Sequence, residues 1–295
     1  MRVFITGATG FIGSAVVQEL INAGHQVLGM ARSDAGAKSL VAAGAEVHRG
    51  DLEDLENLRR GAALADGVIH TAFNHDFSKF AENCETDRRA IEAFGSVLEG
   101  SDRPLIVTSG ATLLAPGRTA TEDEWGPPPD RAVYPRVSEW TASELVGRGV
   151  NASVLRLPQV HDTEKQGLVT YLIDIARKQG SSAYVGDGLN RWAAVHLLDA
   201  APLYRLALEK AAAGTRYNAI AEEGVTLREI AEAIGRALKV PVIAKTPEQA
   251  GEHFGWLGGF MGFDMPASGA LTQERTGWRP THRGLIADLD EARYV

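Results

Sequence analysis

The sequence is poor in cysteine, in positive charge and in long apolar runs. Its single cysteine, Cys84, excludes an internal disulfide and fits a reducing cytosol. A net charge of −8 disfavours nucleic acid as a partner, because a surface that binds nucleic acid is basic. No run approaches the roughly 18 apolar residues of a membrane span, so no membrane partner is expected. The first residues form a strand pattern and no signal peptide, which predicts a cytoplasmic protein.

The amino-terminal stretch, residues 1–13, is the most informative part of the sequence. A short apolar run is followed by three glycines and then by apolar residues at helical spacing, which predicts a strand, a tight turn and a helix. Gly7 allows a sharp turn, Gly10 leaves room for a diphosphate, and Gly13 lets the helix pack closely on the strand. The helix N-terminus then points its free N–H groups at the phosphates, so the stretch predicts a dinucleotide site.

Six apolar segments that alternate with helical patterns predict an α/β fold. We expect a doubly wound parallel Rossmann sheet with ligands at the carboxyl ends of its strands. From about residue 161 the pattern loosens, which predicts a smaller C-terminal α/β lobe that binds the substrate. The predicted division is a cofactor-binding domain over 1–160, with 190–213 packing back on it, and a substrate-binding lobe over 161–295.

The glycine spacing in TGATGFIG, G-x-x-G-x-x-G, resembles the short-chain dehydrogenase/reductase superfamily, and within it the extended and atypical NAD(P)-dependent epimerase/dehydratase-like members. A second region is similar to a landmark of the extended members, a G-D-G turn followed by an arginine and a V-H-x-x-D run. The resemblance therefore covers nearly the whole chain. The matching residues are Gly186, Asp187, Gly188, Arg191, Val195, His196 and Asp199. We expect His196 to be structural and Asp199 to cap a helix that runs to residue 213.

The residues after the second and third strands bear on the cofactor. Arg32 and Ser33 favour NADP, because a basic residue there can pair with a 2′-phosphate; the alternative is a solvated surface arginine. The resemblance places Asp51 and Leu52 against the adenine, although Asp51 could instead cap the following helix. The predicted cofactor contacts are Gly7, Thr9, Gly10, Phe11, Ile12, Gly13, Arg32, Ser33, Asp51, Leu52, Thr71, Ala72, Phe73, Thr108, Gly110, Tyr134, Leu157, Pro158 and Val160.

Members of the superfamily commonly use a tyrosine, a lysine four residues later, a serine and an asparagine. The resemblance places Tyr134 as the tyrosine that gives or takes a proton, at the start of a helix; the alternative is a purely structural aromatic residue. Ser138 stands in the lysine position, and Asp87 stands in the asparagine position, where it is a candidate catalytic residue that could act through water. Gly110 occupies the serine position. Two neighbouring hydroxyls, those of Ser109 and Thr112, could polarise a carbonyl in its place.

Other residues have structural interpretations as well as functional ones. His70 lies in a buried strand and is expected to be a core histidine. His75 and Asp76 face the predicted cleft, but no second pair of ligands accompanies them, so no metal is predicted. The aromatic stretch over 253–265 either lines an apolar pocket or seals the small lobe. The resemblance also suggests a homodimer that pairs through helices near 77–99 and 134–147.

Together these features predict an NADP-dependent oxidoreductase that acts on a small organic carbonyl or alcohol. Hydride transfer to a carbonyl carbon leaves negative charge on oxygen, which requires a proton donor within reach. An alternative from another class is a non-catalytic, NADP-sensing regulator, as in NmrA-like relatives. A sugar-nucleotide epimerase is a third interpretation, disfavoured because the lysine and the serine are missing.

Overall fold

The computed structural model describes residues 1–112, 114–115, 117–126 and 135–292. Its largest sheet has seven strands, all parallel, in the order β3-β2-β1-β4-β5-β6-β10. The strands of the described chain are β1 (Arg2–Thr6), β2 (Gln26–Ala31), β3 (Glu46–Arg49), β4 (Gly67–His70), β5 (Leu105–Gly110), β6 (Ala152–Leu157), β7 (Gln159–His161), β8 (Ser182–Val185), β9 (Arg191–His196), β10 (Arg216–Asn218), β11 (Glu222–Thr226) and β12 (Val242–Lys245). This confirms the predicted doubly wound parallel sheet.

Helices cover both faces of this sheet and build much of the C-terminal part. The described α-helices are α1 (Phe11–Asn22), α2 (Asp34–Ala42), α3 (Leu55–Ala63), α4 (Phe80–Leu98), α5 (Ser138–Gly147), α6 (Val169–Gln179), α7 (Leu197–Lys210), α8 (Leu227–Leu238), α9 (Pro247–Phe254), α10 (Ala270–Thr276) and α11 (Leu285–Glu291). Short 3₁₀ turns precede α4 at Phe77–Lys79 and follow α9 at Gly255–Gly259. In the described chain no helix is both long and apolar enough to cross a bilayer.

The two faces of the main sheet bury separate apolar clusters. Because successive side chains of a strand point to opposite faces, Val3 and Ile5 pack with α1 and α7, whereas Phe4 packs with α3 and α4. Both clusters consist of buried aliphatic and aromatic side chains, which make the sheet a rigid platform for its carboxyl edge. A third cluster, around Trp192, holds α6, α8, α9 and α11 together with β9 in the C-terminal part.

The structure corrects four local predictions. The main sheet has a seventh strand, β10, which the sequence assigned to the loosened C-terminal pattern. The third helix is capped by Asp54 and starts at Leu55, so Asp51 is not its cap. The helix predicted to open near Tyr134 begins at Ser138, four residues later. The N-cap is Val137, whose φ of −116° and ψ of 11° are not helical, and Arg136 before it donates to the carbonyl of Thr108 on β5.

The fourth correction concerns Asp199. Helix α7 is capped by His196, whose imidazole accepts from the amide of Leu198, and it ends at Lys210. Asp199, one turn in, instead accepts from the amides of Thr281 and His282 at 2.9 and 3.0 Å. A buried carboxylate needs such partners, and here they fix the C-terminal segment onto the main sheet's helix. His196 therefore has the structural role that was expected of it.

Candidate functional site

The glycine turn between β1 and α1 has the geometry that its sequence predicts. Gly7 has a φ of +69°, in the left-handed region that favours glycine. A Cβ on Gly7 would lie 2.7 Å from the amide nitrogen of Ala72, and a Cβ on Gly13 would lie 2.0 Å from the carbonyl oxygen of Gly7. Both glycines are required for close packing of turn, helix and the end of β4. Gly10 is exposed, so the surface above it is open.

Helix α1 presents an uncompensated N-terminus at this turn. Gly10 is its N-cap, no side chain caps it, and its first turn contains no acidic residue. The positive end of the helix dipole is therefore available to an anion. Thr9 is exposed, and Phe11 and Ile12 are half-buried around the opening. An open glycine turn followed by an uncapped helix fits the diphosphate of a nicotinamide dinucleotide.

The end of β2 carries the residues predicted to select the cofactor. Arg32 is exposed and forms no ion pair with any residue in the described ranges. Ser33 is the N-cap of α2, and its hydroxyl accepts from the amide of Gly36 at 3.1 Å. The neighbouring Asp34 pairs with Arg49 on β3 and leaves Arg32 alone. The Arg32 guanidinium is thus free to bind an anion beside the glycine turn.

Two further predicted contacts lie after β3. Asp51 is exposed, and its carboxylate accepts from the amide of Glu53 at 2.8 Å in a local turn. Leu52 is half-buried and packs against the apolar cluster on the α3 and α4 side of the sheet. Since Asp54 caps α3, the carboxylate of Asp51 keeps capacity to accept another donor. The adenine role of this pair stays a prediction.

A buried chain of hydrogen bonds connects the glycine turn to the other side of the cleft. The hydroxyl of Thr6 contacts Nδ1 of His70 at 2.6 Å, and Nε2 of His70 contacts Oδ1 of Asp87 at 3.1 Å. Ser138 donates to the second oxygen of Asp87 at 2.5 Å and accepts from Nε of Arg136 at 3.1 Å. His70 is therefore a satisfied core histidine, as expected.

Asp87 is fully enclosed in this chain. Burial alone would raise the pKa of Asp87, but the hydrogen bond and charge of His70, the charge of Arg136 and the hydrogen bond from Ser138 together hold it below its usual value. The carboxylate therefore stays ionised, although its side chain is only 2% exposed. Its oxygens face His70 and Ser138, so Asp87 contacts Arg136 through Ser138 and is not itself at the surface of the cleft.

Arg136 lies where the carboxyl ends of β4 and β5 meet. Its guanidinium carbon is 4.5 Å from the ring centre of Phe73, and Nη2 donates to the carbonyl of Thr108 at 3.3 Å. No carboxylate of the described chain forms an ion pair with it. Nε and Nη2 are used for positioning, and Nη1 donates to no residue within the described ranges. A fixed positive charge therefore lies beside Phe73, which is one of the predicted cofactor contacts.

The predicted hydroxyls lie together next to Arg136. One small cavity is lined by Ser109, Gly110, Thr112 and Arg136. Glu139 and Trp140 line it as well. The hydroxyl of Thr108, by contrast, is buried against the phenol of Tyr204 at 2.8 Å. Any contact of Thr108 with a ligand would therefore use its backbone.

Tyr134, the predicted proton donor, lies outside the described residues. The chain is described again from Pro135, and Arg136 and Val137 lead directly into α5. These residues fix where α5 begins next to the cavity. The role of Tyr134 rests on its place in the sequence and stays a prediction.

Three predicted contacts lie at the end of the adjacent strand β6 and just after it. Leu157 pairs with Gly110, and its carbonyl accepts from the amide of Ala111 at 2.9 Å. Pro158 is half-buried, and Val160 lies in the core cluster shared with α1 and α7. The ends of β5 and β6 thus lie side by side, and the chain turns there toward the C-terminal part.

The remaining predicted contacts follow β4. The Thr71 hydroxyl donates to the carbonyl of Thr6 at 2.8 Å, and the Ala72 amide faces the glycine turn. Beyond Phe73, the ring of Phe77 stacks on Trp256 with centroids 4.3 Å apart and planes 11° apart. This contact joins the segment after β4 to the aromatic stretch of the C-terminal part.

The aromatic stretch seals the C-terminal cluster, which is one of the two interpretations left open by the sequence, and its role in lining a substrate pocket stays a prediction. Phe254 and Leu257 are buried in the C-terminal cluster and seal it. Trp256 is 44% exposed and forms an apolar wall with Phe77 and Tyr171, whose ring centre lies 5.2 Å from that of Trp256. The backbone of the stretch is fixed because Asn190 donates to the carbonyls of Met261 and Phe263.

Cys84 is buried, and Arg191 is paired within the protein. Burial raises the pKa of the Cys84 thiol to about 12, so it stays protonated at neutral pH and is not a nucleophile. Arg191, from the G-D-G region, is paired with Asp264 through Nε and Nη2 at 3.1 and 2.8 Å. Among the described residues no group of His, Cys, Asp and Glu side chains is arranged to hold a metal ion.

Comparison with known proteins establishes the family. The sequence model of the NAD dependent epimerase/dehydratase family matches residues 3–220. The chain belongs to this family. Its members depend on a nicotinamide dinucleotide, which agrees with the open glycine turn and the uncapped α1.

Individual relatives of this epimerase/dehydratase family member are similar over most of their length. It is 49% identical over 296 residues to the uncharacterized protein C2A9.02 of Schizosaccharomyces pombe, covering 100% of both chains. It is 30% identical over 263 residues to 2-alkyl-3-oxoalkanoate reductase of Stenotrophomonas maltophilia, covering 83% of this chain and 78% of the other. The Thermus thermophilus UDP-glucose 4-epimerase, solved with NAD, has the same fold, with a TM-score of 0.73, 22% identity and coverage of 99% and 97%.

The sequence missed several contacts of this family member. Ser138 and Asp87 were each noted as departures from the superfamily pattern, but nothing in the sequence showed that they bond to each other, 51 positions apart. Lys165 was not singled out, and its ammonium lies 5.6 Å from the ring centre of Phe11 at the start of α1. No spacing or motif marks either contact, because both depend on how distant segments pack.

Proposed function

We propose that the protein is an NADP-dependent oxidoreductase that moves a hydride between NADP(H) and a small organic carbonyl or alcohol. The observation that carries this proposal is the shared edge of the sheet. An unpaired Arg32 and the open turn before α1 lie at one end, and the cavity of Ser109, Thr112 and Arg136 lies at the other. A cofactor held by the turn can reach a carbonyl bound next to these side chains, as doubly wound sheets bind ligands at this edge. The 30% identical reductase supports this reaction class.

The chain's residues divide the chemistry between them. When bound, NADPH supplies the hydride. Tyr134 donates a proton to the carbonyl oxygen, and the hydroxyls of Ser109 and Thr112 hold that oxygen in position. Arg136 supplies a fixed positive charge beside them, since it does not lose its proton in proteins. Phe77 and Trp256 exclude water from the apolar side of the cleft.

Reduction is the direction that this set of residues favours. An unassisted tyrosine has a pKa near 10 and is protonated at neutral pH, which makes it a competent acid and a poor base. Arg136 stabilises negative charge that develops on the substrate oxygen or on the tyrosine. Ser138, in the lysine position, accepts from Arg136 and thereby places that charge.

The test of this proposal is NADPH oxidation in the presence of a panel of carbonyl compounds. The panel includes 2-alkyl-3-oxoalkanoates, small ketones and aldehydes, and a UDP-sugar as the epimerase control. We expect stoichiometric alcohol formation with at least one carbonyl compound. Turnover of the UDP-sugar alone, without net NADPH oxidation, would show an epimerase and contradict the proposal.

The second candidate function is that of a non-catalytic NADP sensor that regulates a partner. One observation favours it: Asp87 and Ser138, in two catalytic positions of the superfamily, bond to each other inside the protein and do not face the cleft. Such a sensor binds NADPH without oxidising it. Saturable NADPH binding with no turnover of any panel member would favour the sensor over the enzyme.

Arg32 provides the test of cofactor choice. Because its guanidinium is free to form charge-assisted hydrogen bonds with a 2′-phosphate, we expect Arg32→Ala to weaken NADPH binding by roughly tenfold to a hundredfold and to leave NADH binding unchanged. Calorimetric titration of both cofactors measures this. Arg60→Ala, which removes an exposed arginine from the last turn of α3, is the matched control. Equal losses for both cofactors would show that Arg32 does not contact the 2′-phosphate.

A further inference from the structure

A tight turn after β7 presents Lys165 toward the glycine turn. The amide of Asp162 donates to the carbonyl of Lys165 at 2.9 Å, and the carboxylate of Asp162 accepts from the amides of Glu164 and Lys165, each at 2.8 Å. The buried side chain of Gln166 donates to the carbonyl of Asp162 at 2.8 Å. Since each of these bonds fixes backbone, the position of Lys165 is determined by the fold and not by a flexible loop.

The Lys165 ammonium lies over the first residue of α1. Its nitrogen is 5.6 Å from the ring centre of Phe11, and Lys165 forms no ion pair within the described part of the chain. The positive charge of Lys165 also affects His75, which lies after β4. Partial desolvation lowers the pKa of the exposed His75, and the positive charges of Arg136 and Lys165 lower it further. Lys165 is therefore an uncompensated cation on the cleft side of the molecule.

The Lys165 ammonium lies near the N-terminus of α1, because Phe11 is the first residue of that helix. On one side are the N–H groups and the positive dipole end of α1, which has neither a side-chain cap nor an acidic first turn. On the other side is an exposed ammonium with no counter-ion in the described ranges. Two positive groups this close to each other attract an anion more strongly than either does alone.

We propose that Lys165 binds the diphosphate of the nicotinamide dinucleotide from the side opposite α1. The inference rests on the proposed dinucleotide function. It adds that the turn after β7, outside the main sheet, contacts the cofactor directly. A diphosphate carries two negative charges and has oxygens on both sides, so α1 and Lys165 bind different oxygens. Lys165 then contributes to the affinity for NADPH and NADH alike, whereas Arg32 acts on NADPH alone.

The experiment compares Lys165→Met with the unmodified chain by calorimetric titration of three ligands. We expect about a tenfold loss of affinity for NADPH and the same loss for NADH, because both contain the diphosphate. Adenosine 2′-monophosphate, which has no diphosphate, should bind both proteins equally. Lys165→Arg should retain most of the affinity, and Lys178→Met, which removes an exposed lysine from the last turn of α6, should change none of the three values.

The outcomes separate this inference from the proposed function. If the unmodified chain binds NADPH and NADH and Lys165→Met binds them with unchanged affinity, the Lys165 contact is disproved and the dinucleotide site stands. A loss confined to NADPH would overturn the inference as well, since it would place Lys165 at the 2′-phosphate. If the unmodified chain binds neither cofactor, the function itself fails and the Lys165 contact fails with it.

Discussion

Tyr134→Phe should lower kcat for NADPH-dependent carbonyl reduction by about 10²–10⁴-fold, the usual contribution of a positioned proton donor. The substitution removes only the phenolic oxygen, so the affinity for NADPH should change little. Tyr134 is placed by its sequence position before Arg136, whose guanidinium lies beside the cavity of Ser109 and Thr112. Stopped-flow measurement of a single turnover gives the rate of the chemical step directly.

The control for Tyr134→Phe is the same substitution elsewhere. Tyr184→Phe removes a phenolic oxygen from β8, in the C-terminal part, and should leave kcat unchanged. If Tyr134→Phe retained the rate of the unmodified chain, Tyr134 would be a structural aromatic residue. The proton would then come from another group, and the hydroxyls of Ser109 and Thr112 would be the next candidates.

Removal of the Glu139 carboxylate should strongly destabilise the fold. Glu139 is 4% exposed and forms an ion pair with Arg156, which is fully buried; Nε of Arg156 donates to it at 2.9 Å. Glu139→Ala leaves a buried guanidinium without its carboxylate partner. We expect a loss of about 3–5 kcal/mol in the free energy of unfolding. Urea denaturation of the protein at neutral pH measures it.

An exposed pair provides the matched control for Glu139. Glu56 forms an ion pair with Arg59 one turn along α3, and its side chain is 75% exposed. Glu56→Ala should cost less than about 1 kcal/mol, because exposed ion pairs are screened by water. Comparable losses for both variants would show that the buried Glu139–Arg156 pair stabilises the fold no more than an exposed pair does.

The main sheet could be predicted because its signals are local. The strand before Gly7 is a short apolar run, and the glycines that follow it have conformational reasons that are visible in the sequence: Gly7 adopts a φ of +69°, and Gly13 leaves no room for a Cβ. Helix α8 was equally predictable, because Thr226 and Glu229 form a capping box. Each signal lies within a few residues of the structure that it determines.

The errors arose where distant contacts decide the outcome. Asp199 has the sequence position of a cap, but the segment at Thr281 supplies amides that bind its carboxylate. The strand β10 is only three residues long, and it forms because β6 offers a free edge, which no local pattern shows. The start of α5 at Ser138 also accompanies a contact that no local pattern shows, since Arg136 just before it donates to the carbonyl of Thr108.

The residues of the candidate site could be predicted from the sequence, but the hydrogen bonds between them could not. The sequence identified Asp87 and Ser138 as departures from the superfamily's catalytic pattern. The structure shows that the two are coupled, since Ser138 donates to Asp87 and accepts from Arg136. A serine can bond a buried carboxylate and a neighbouring guanidinium at once because its hydroxyl is both donor and acceptor. The position of Arg136 is thus fixed by a serine that stands where the superfamily has its lysine.

The most direct test of the central claim is calorimetric titration of the unmodified chain with NADPH and with NADH. The claim is that the turn of Gly7, Gly10 and Gly13 binds a diphosphate and that Arg32 binds the 2′-phosphate. We therefore expect saturable binding at one site per chain for both cofactors, with the tighter binding for NADPH. Absence of binding by either cofactor, or tighter binding of NADH, would contradict it.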